Sequence, residues 1–425
     1  MQTRLRHIAA IASFALLAGC GATHSIGHQL FGLNDSSSAP AGTQVSTFGY
    51  AVADEPQAAI VARQILNQGG NAADAATAAG FAQAVTLPSR GGLGGGGACL
   101  IKMPDSSIKM PDSSGKMQPP VALLFPAGAP AASSGDRPAA VPTLARGLLA
   151  LQARYGQLPY ASVIVPAERL AGNAELSAAL ETDLQTVGPA LIADPGAAAV
   201  FAPNGTLLPV NATLTQPDLA ATLEVLRTQS IQGFYTGSFA QTFANAADAA
   251  GGGLTATDLA AVTPQYAGPA IGSAGNYAIA SLPGTAGASA TLPASASFMA
   301  LDKNGGSVIC VTSMNNLFGT GRIAPGTGIL LAASPRAAPT PDLAASMAYI
   351  SGSLSFRAAA AGTGQAAATQ AAAIGLANAL TKAQTPIPSP GRANTISCPG
   401  LVPGGEASCT ASADPRGQGL AIGGR

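Results

Sequence analysis

Hydrophobic and polar positions between residues 55 and 85 alternate at helical spacing, which predicts helices rather than strands. Gly69 and Gly70 interrupt the pattern and divide it into two helices. Asn71 stands directly after the break, where its short polar side chain can cap the second helix. A glycine run follows, and the apolar residues after it predict a strand.

Within that run, Gly92, Gly94 and Gly97 fit the spacing G-x-G-x-x-G. A dinucleotide-binding fingerprint requires a strand before these glycines and a helix after them. Here the helix comes first and the strand second, so the glycines do not indicate a nucleotide site. No cofactor is predicted.

Helical patterns continue through the middle of the chain and return near its end. They cover residues 142–156, residues 159–171, two segments within 216–250, a short segment at 254–262, and an Ala-rich segment at 365–383. Residues after about 385 are rich in Pro and Gly and are predicted as coil. Helices first, an N-terminal strand and a late hairpin suggest a layered domain of helices and sheets.

The late hairpin is formed by "SFMAL" and "SVICVTSM", which flank "DKNGG". Asn-Gly between apolar runs is a strong hairpin signal. If Asn304 and Gly305 are the two loop residues, Ser295 lies opposite Met314, and a one-residue shift brings Ser313 or Asn315 there. Ser295 is therefore either a nucleophile with polar neighbours or only a polar residue at a strand end.

Charge and histidine content narrow the possible chemistry. The chain has 20 basic and 20 acidic residues, with no basic stripe, so no nucleic-acid partner is predicted. All three histidines, His7, His24 and His28, precede the region predicted to fold. That region therefore has no Ser-His-Asp or Cys-His machinery and few options for zinc, and no metal site is predicted.

The N-terminus has the form of an export signal, with a basic start and an apolar run ending in small residues. Residues 17–20, Leu-Ala-Gly-Cys, resemble a bacterial lipoprotein lipobox. The resemblance implies a signal at residues 1–19, lipidation of Cys20 and a tether at 20–45. With Gly21 next, it implies the periplasmic side of a Gram-negative outer membrane. The alternative is an ordinary secretory signal with a chance cysteine.

Four cysteines follow the signal. Cys99 and Cys310 lie in apolar runs and are predicted to be buried small side chains rather than nucleophiles. Cys398 and Cys409 flank a Gly/Pro-rich segment and can form a disulfide in an exported protein. The heptad IKMPDSS occurs twice in succession at residues 101–114, and its turn residues predict a lengthened hairpin loop.

Several segments, in this order along the chain, resemble the γ-glutamyltranspeptidase family of N-terminal-nucleophile hydrolases. They are "ILNQGGNAADAATAAGFAQAVTLPSRGGLGGGG", "AAVPTLARGLLALQARYGQLPYASVIVPAERLA", "QPDLAATLEVL", "GFYTG", "GGGLTATDLAAV", "FMALDKNGGSVICVTSMNNLFGTGRIAPGTGILL" and "DPRGQGLAIGGR". The resemblance implies an α+β fold, a four-layer αββα sandwich, shortened by about a hundred residues before residue 295. It also implies a mechanism that suits a histidine-free body.

In that mechanism a hydroxyl attacks the carbonyl before it, and the freed α-amine then serves as its base. Alignment on Phe298 and Asp302 makes Ser295 the nucleophile, with Ser297 as a weaker alternative. Cleavage between Ala294 and Ser295 would divide a large-subunit region, 46–294, from a small-subunit region, 295–425. The two fragments would remain together as a heterodimer.

Other family positions are carried over by the same resemblance. Ser313 matches a hydroxyl that contacts the nucleophile, Asn315 and Ser346 match substrate-binding positions, and Gly362 and Gly364 match the oxyanion hole. Departures concern the substrate's head group: Pro126 stands where the family has a carboxylate-binding Arg, and Ser334 and Ala337 replace an acid and an amide. Arg90 and Arg322 are the remaining candidates to neutralise a carboxylate, or are structural arginines.

The expected function is a self-cleaving amidohydrolase of γ-glutamyltransferase type, acting on glutathione-like or related acyl amides through a Ser295 acyl-enzyme. One alternative is a non-catalytic envelope lipoprotein that keeps the fold. Another is an acylase with a different acyl specificity, which the missing head-group partners favour. The expected partner is a small-molecule amide, with membrane contact only through the N-terminal lipid.

Overall fold

A computed structural model describes residues 49–104, 118–132, 134–284, 292, 294–338 and 340–424. The predicted signal, Cys20, the tether and most of the duplicated heptad region lie outside the described residues. Within the described ranges, no helix is long and apolar enough to cross a membrane.

Two antiparallel sheets form the centre of the body. The first has seven strands, which are in spatial order β17 (Leu420–Gly424), β1 (Gly49–Ala53), β9 (Ser295–Asp302), β10 (Ser307–Ser313), β2 (Gly96–Lys102), β3 (Val121–Phe125) and β6 (Gln265–Ala267). The second has six strands, which are in spatial order β16 (Thr410–Ser412), β15 (Arg392–Val402), β14 (Phe356–Thr363), β13 (Ala344–Ile350), β8 (Tyr277–Ser281) and β7 (Ala270–Ala274). Two small ladders pair β4 (Ala174–Glu175) with β5 (Thr213–Leu214), and β11 (Ile323–Ala324) with β12 (Ile329–Leu330).

Helices cover the outer faces of both sheets. In chain order they are α1 (Pro56–Asn67), α2 (Ala72–Thr86), α3 (Pro88–Gly91), α4 (Leu144–Tyr155), α5 (Tyr160–Gly172), α6 (Ala178–Leu191), α7 (Pro195–Phe201), α8 (Pro217–Tyr235), α9 (Ser238–Ala249), α10 (Ala256–Ala261) and α11 (Ala368–Thr381). α1 and α2 pack on the first sheet and α11 packs on the second, which gives the four layers αββα. The predicted fold class is confirmed.

The second helix shows why the sequence pattern predicted this region well. Asn71 caps α2 by accepting hydrogen bonds from the backbone of Ala73 and Asp74, and the Asp74 carboxylate accepts one from the Asn71 backbone. Every residue of α2 is buried, because it lies between the sheet and other helices. A Cβ on Gly80 would lie 2.7 Å from Leu148 and 2.8 Å from Phe298, so the glycine permits this close packing.

Side chains from the two inner faces form the central core, following the alternation expected of sandwiched sheets. β9 and β10 contribute Met299, Leu301, Ile309 and Val311. β13, β14 and β15 contribute Met347, Ala359, Ala361, Ile396 and Cys398. This core fills only part of the space between the sheets, and the remainder is polar.

One sequence expectation was wrong, and one was incomplete. The segment after residue 385 is not only coil, because it supplies β15, β16 and β17 to the two sheets. Cys99 and Cys310 are buried, as expected, but they are not free: they face each other across β2 and β10 and form a disulfide. The structure also joins Cys398 to Cys409, at the base of the β15–β16 connection.

Candidate active site

Polar side chains occupy one end of the space between the sheets. Along β9, the inward-facing positions change from the apolar Met299 to Ser297 and Ser295. The same change occurs on β10, where Ser313 follows Val311, and on β15, where Asn394 precedes Ile396. Since both sheets become polar at the same end, this buried polar end of the sandwich is the candidate reaction site.

Ser313, rather than Met314, lies directly opposite Ser295. The predicted register was off by one, because the hairpin loop has three residues, from Lys303 to Gly305, instead of two. The backbone N–H of Asp302 donates to the carbonyl of Gly306, closing the loop around residue 305. Gly305 has φ of 80°, which is the left-handed conformation that a three-residue hairpin loop requires.

The carbonyl of Ala294, the group before the predicted nucleophile, accepts two hydrogen bonds. The Ser313 hydroxyl donates to it at 2.9 Å and the Met314 backbone N–H at 3.2 Å. The backbone N–H of Asn315 donates to Ser313 Oγ at 2.8 Å, which leaves the hydroxyl proton free to point at Ala294. Two donors on one carbonyl oxygen are the arrangement that stabilises an oxyanion.

Ser295 is 1% exposed, and its hydroxyl has no hydrogen-bond partner among the described residues. An unpaired buried hydroxyl costs about 1–3 kcal/mol, so natural proteins seldom keep one without a reason. By covalent connectivity, Oγ can reach the Ala294 carbonyl carbon through a five-membered ring. Ser295 is therefore placed to attack a carbonyl whose oxygen is already held by two donors.

Ser297, the weaker candidate, is fully engaged. Its backbone N–H and hydroxyl donate to Asp54 Oδ2 at 2.7 and 3.1 Å. Asn394 donates to Ser297 Oγ at 2.9 Å and to Asp54 Oδ1 at 3.1 Å, which joins the two sheets. These contacts fit a structural role for Ser297 and favour Ser295 as the nucleophile.

Asp54 and Asn394 were not identified from the sequence. Asp54 lies between β1 and α1. An acidic residue just before a helix is common, so its position in the sequence does not indicate a role at the site. Asn394 lies in the segment that the Pro and Gly content assigned to coil. Asn394 could have been found from the sequence if every second residue of this segment, namely Arg392, Asn394, Ile396 and Cys398, had been assigned to one face of a strand.

The predicted substrate-binding residues are not all at the site. Asn315 is buried beside Ser313, but its Nδ2 donates to the Ala333 carbonyl at 2.9 Å. Ser346 contacts Ser281 at 2.8 Å on the face of β13 that packs against α11. Since this face points away from the space between the sheets, Ser346 is not near Ser295 in this structure.

The two glycines predicted to form the oxyanion hole have different surroundings. Gly362 also faces α11, where a Cβ would lie 2.0 Å from the Ala368 carbonyl. Gly364 has φ of 110° and begins the turn after β14. The next side chain, Gln365, donates a hydrogen bond from Nε2 to the carbonyl of Leu292. The described contacts therefore link this turn to the segment leading into Ser295 through Gln365.

Both arginines named from the sequence are held in ion pairs, although the buried Nη1 of Arg90 has no hydrogen-bond partner among the described residues. Arg90 and Asp183 form a buried two-point ion pair, with Nε–Oδ2 2.8 Å and Nη2–Oδ1 2.6 Å. Arg322 holds Asp136 through two bonds of 2.6 Å and also donates to the Ala250 carbonyl.

The three departures from the family pattern supply no charge either. Pro126 is exposed. Ser334 is buried, and its hydroxyl accepts a hydrogen bond from the Arg336 backbone N–H. The Ala337 backbone N–H donates to the Ser334 carbonyl. In the described part of the chain, no cluster of His, Cys, Asp and Glu is arranged to hold a metal ion.

A family model described as gamma-glutamyltranspeptidase matches residues 58–295, more than half of the chain. The chain belongs to this family. It is 32% identical over 239 residues to "Glutathione hydrolase proenzyme" of Escherichia coli strain K12, a match covering 52% of this chain and 39% of the relative. It is 31% identical over 244 residues to "Acylase ACY 1 proenzyme" of Pseudomonas sp. strain SE83, covering 54% and 44%. The matches thus span less than half the length of these family relatives.

Among solved structures, the cephalosporin acylase from Bacillus halodurans is similar in fold. The TM-score is 0.68 at 17% identity, and the match covers 91% of this chain and 98% of that chain. At this identity the similarity concerns the arrangement of helices and strands alone. The sandwich that the family resemblance implied is therefore also found in a chain of comparable extent.

Proposed function

We propose that this member of the γ-glutamyltranspeptidase family is a self-cleaving amidohydrolase with Ser295 as its nucleophile. The observation that carries the proposal is the pair of donors, from Ser313 and Met314, on the carbonyl oxygen of Ala294. A buried, unpaired Ser295 hydroxyl stands beside that carbonyl. The Met314 bond continues the β9–β10 ladder. A purely structural strand end would therefore have this bond, but it would require neither the added Ser313 hydroxyl on the same carbonyl nor the unpaired Ser295 hydroxyl.

In the self-cleavage step, Ser295 Oγ attacks the carbonyl carbon of Ala294. The oxygen becomes an oxyanion held by Ser313 Oγ–H and Met314 N–H. The C–N bond then breaks, the hydroxyl proton ends on the nitrogen of Ser295, and an ester joins Ala294 to Oγ. Water hydrolyses this ester and leaves a carboxylate on Ala294 and a free α-amine on Ser295.

After cleavage, the new α-amine is the base for the Ser295 hydroxyl, which a histidine-free body requires. The hydroxyl attacks the amide carbonyl of a substrate, the amine accepts its proton, and the leaving amine departs protonated. The resulting acyl-enzyme is released by water or by an amine acceptor. Ser313 and Met314, freed from Ala294, are then available to the oxyanion of the substrate.

The substrate class in this proposal is a small γ-glutamyl or related acyl amide. The relatives' names, glutathione hydrolase and acylase, support both options. A non-γ-glutamyl acyl group is favoured by one observation: Pro126, Ser334 and Ala337 provide no charge for a zwitterionic head group. Export and lipidation at Cys20 remain part of the proposal and rest on the N-terminal sequence.

The test compares Ser295→Ala with Ser297→Ala in the purified protein. We expect the wild type and Ser297→Ala to be cleaved before residue 295, and Ser295→Ala to stay intact. Ser295→Thr keeps a hydroxyl and should still be cleaved. Hydrolysis of γ-glutamyl and simple acyl p-nitroanilides by the cleaved forms then reports the substrate class. Cleavage of Ser295→Ala at the same bond would refute the assignment of the nucleophile.

A further inference from the structure

A cavity of about 240 Å³ lies beside the polar end of the sandwich, and its lining is rich in arginine. The residues that matter here are Arg90, Asp183, Gln365, Arg392, Arg416 and Gln418. Three arginines and one aspartate therefore line the same small volume. Ser295 is not among the residues that line it.

Two of the three arginines have their charge satisfied. Arg90 is held by Asp183 through two short bonds. Arg416 is held by Asp414, with Nη2–Oδ2 2.7 Å and Nε–Oδ1 3.0 Å. Arg416 cannot turn to a ligand without breaking its ion pair. Arg90 keeps one buried donor, Nη1, without a hydrogen-bond partner among the described residues, so it can assist a ligand with its own pair intact.

Arg392 differs from both. Within the described part of the chain, its guanidinium donates no hydrogen bond and forms no ion pair, although it is only partly exposed. Asp54 is nearby, since a Cβ on Gly417 would lie 3.3 Å from Asp54 Oδ1 and 3.5 Å from Arg392 Nη1. The Asp54 oxygens are already occupied by Ser297 and Asn394.

The charges around Arg392 are mixed, and none of the acidic groups forms an ion pair with it. Burial lowers the pKa of Arg392, and the positive charge of Arg90 acts in the same direction. Asp54, Asp183 and Asp414 oppose that shift from a distance. An arginine stays charged in proteins, so a bound carboxylate would supply the direct partner that the chain does not.

Strand geometry places Arg392 across from the nucleophile. Ser297 on β9 contacts Asn394 on β15, and two residues further along each strand the core residues Met299 and Ile396 follow. Both strands thus run from the polar end into the core. Two residues in the other direction, on the same faces, are Ser295 and Arg392. They stand on opposite sheets at the polar end of the sandwich, and packed sheets lie about 10 Å apart.

The cavity also lies on the acyl side of the bond that Ser295 would cleave. In the uncut chain, Ala294 and the residues before it occupy the place of a substrate's acyl group. Gln365, which lines the cavity, donates to the carbonyl of Leu292, two residues before Ala294. Two extended residues span about 7 Å, which a short acyl chain with a terminal carboxylate can cover in part.

We infer that Arg392 binds a carboxylate at the far end of the substrate's acyl group, and so selects acidic acyl chains of about glutaryl length. This inference rests on the proposed function. It replaces the missing arginine of the family pattern with one from β15, on the opposite sheet. Arg392 would be a specificity residue and would take no part in bond cleavage.

Two experiments on Arg392→Gln, Arg392→Lys and the control Arg137→Gln test this. Arg137 donates to the Thr320 carbonyl at another cavity, so its loss removes one positive charge elsewhere. The first experiment compares kcat/KM for glutaryl-p-nitroanilide and valeryl-p-nitroanilide, which differ only in the terminal carboxylate. The second measures the Kd of glutarate by calorimetry, which requires no turnover.

We expect the wild type and Arg137→Gln to prefer the glutaryl substrate and to bind glutarate. Arg392→Gln should lose about tenfold to a hundredfold in both readouts, since a charge-assisted hydrogen bond is removed. The valeryl substrate should be unaffected, and Arg392→Lys should be intermediate. Unchanged preference and Kd in Arg392→Gln, or no glutarate binding to the wild type, would overturn the inference.

The outcomes separate this inference from the proposed function. Self-cleavage is measured on the same samples by intact mass. Cleaved, active protein without carboxylate preference contradicts only the role of Arg392. Uncleaved wild type contradicts the proposed function and this inference with it, whereas cleaved protein that binds no glutarate contradicts only the carboxylate site.

Discussion

Replacement of Ser313 by Ala tests the geometry around the Ala294 carbonyl most closely. The change removes one of two donors, the hydroxyl at 2.9 Å, and leaves the Met314 N–H at 3.2 Å. Loss of one oxyanion donor typically costs a factor of about 10² to 10³ in rate, or about 3–4 kcal/mol. We therefore expect Ser313→Ala to self-cleave about 10² to 10³ times more slowly than the wild type.

The assay is a time course of cleavage after cell-free synthesis, followed on denaturing gels and by intact mass. Ser313→Thr keeps the hydroxyl and should cleave at a rate much closer to that of the wild type. Thr312→Val is the matched control, because Thr312 Oγ1 contacts Gln83 and the Ala296 carbonyl on the other face of β10. Cleavage of Ser313→Ala at the wild-type rate would refute the reasoning, provided that its thermal unfolding is normal.

Two further predictions concern stability. Asp54→Asn places an amide against donors from Ser297 and Asn394, so the free energy of unfolding should fall by about 1–3 kcal/mol in denaturant titration; an unchanged value would contradict the network. Burial lowers the pKa of Lys102 to about 7 from 10.5, and Asp302 opposes the shift. The unfolded chain then binds more protons between those values, so stability should rise with pH by up to about 1.4 kcal/mol per unit. Lys102→Met should lose this slope, and an equal slope in both proteins would contradict it.

The helices could be predicted from the sequence because their boundaries are marked by local chemistry. Gly69, Gly70 and the Asn71 cap define the break between α1 and α2 without help from tertiary contacts. The hairpin was placed correctly, but its register was not. Asp302 explains the difference, since its carboxylate accepts from the backbones of Asn304 and Gly306 at 2.9 Å each and stabilises a longer loop.

The C-terminal strands were missed for a reason connected with the site itself. An inward face of β15 that carried only apolar residues would alternate clearly in sequence. Here Arg392 and Asn394 occupy two of those inward positions, so the alternation is weak where the strand reaches the polar end of the sandwich. The residues that give the candidate site its charge therefore also obscured the strand that carries them.

The position of Ser295 followed from the family resemblance, and its surroundings required the structure. No spacing in the sequence shows that Ser313 and Met314 converge on one carbonyl, since this depends on a register that differs by one residue from the expected one. Likewise, Ser346 and Gly362 match family positions in sequence but face α11 in the fold.

The most direct test of the account is the intact mass of the purified wild-type protein, combined with N-terminal sequencing of each fragment. The account predicts two chains, the smaller of which begins Ser-Ala-Ser-Phe at Ser295. If the chain ends at residue 425, this fragment has 425 − 294 = 131 residues. A single uncleaved chain, or a cut at any other bond, would contradict the assignment of Ser295 as an N-terminal nucleophile.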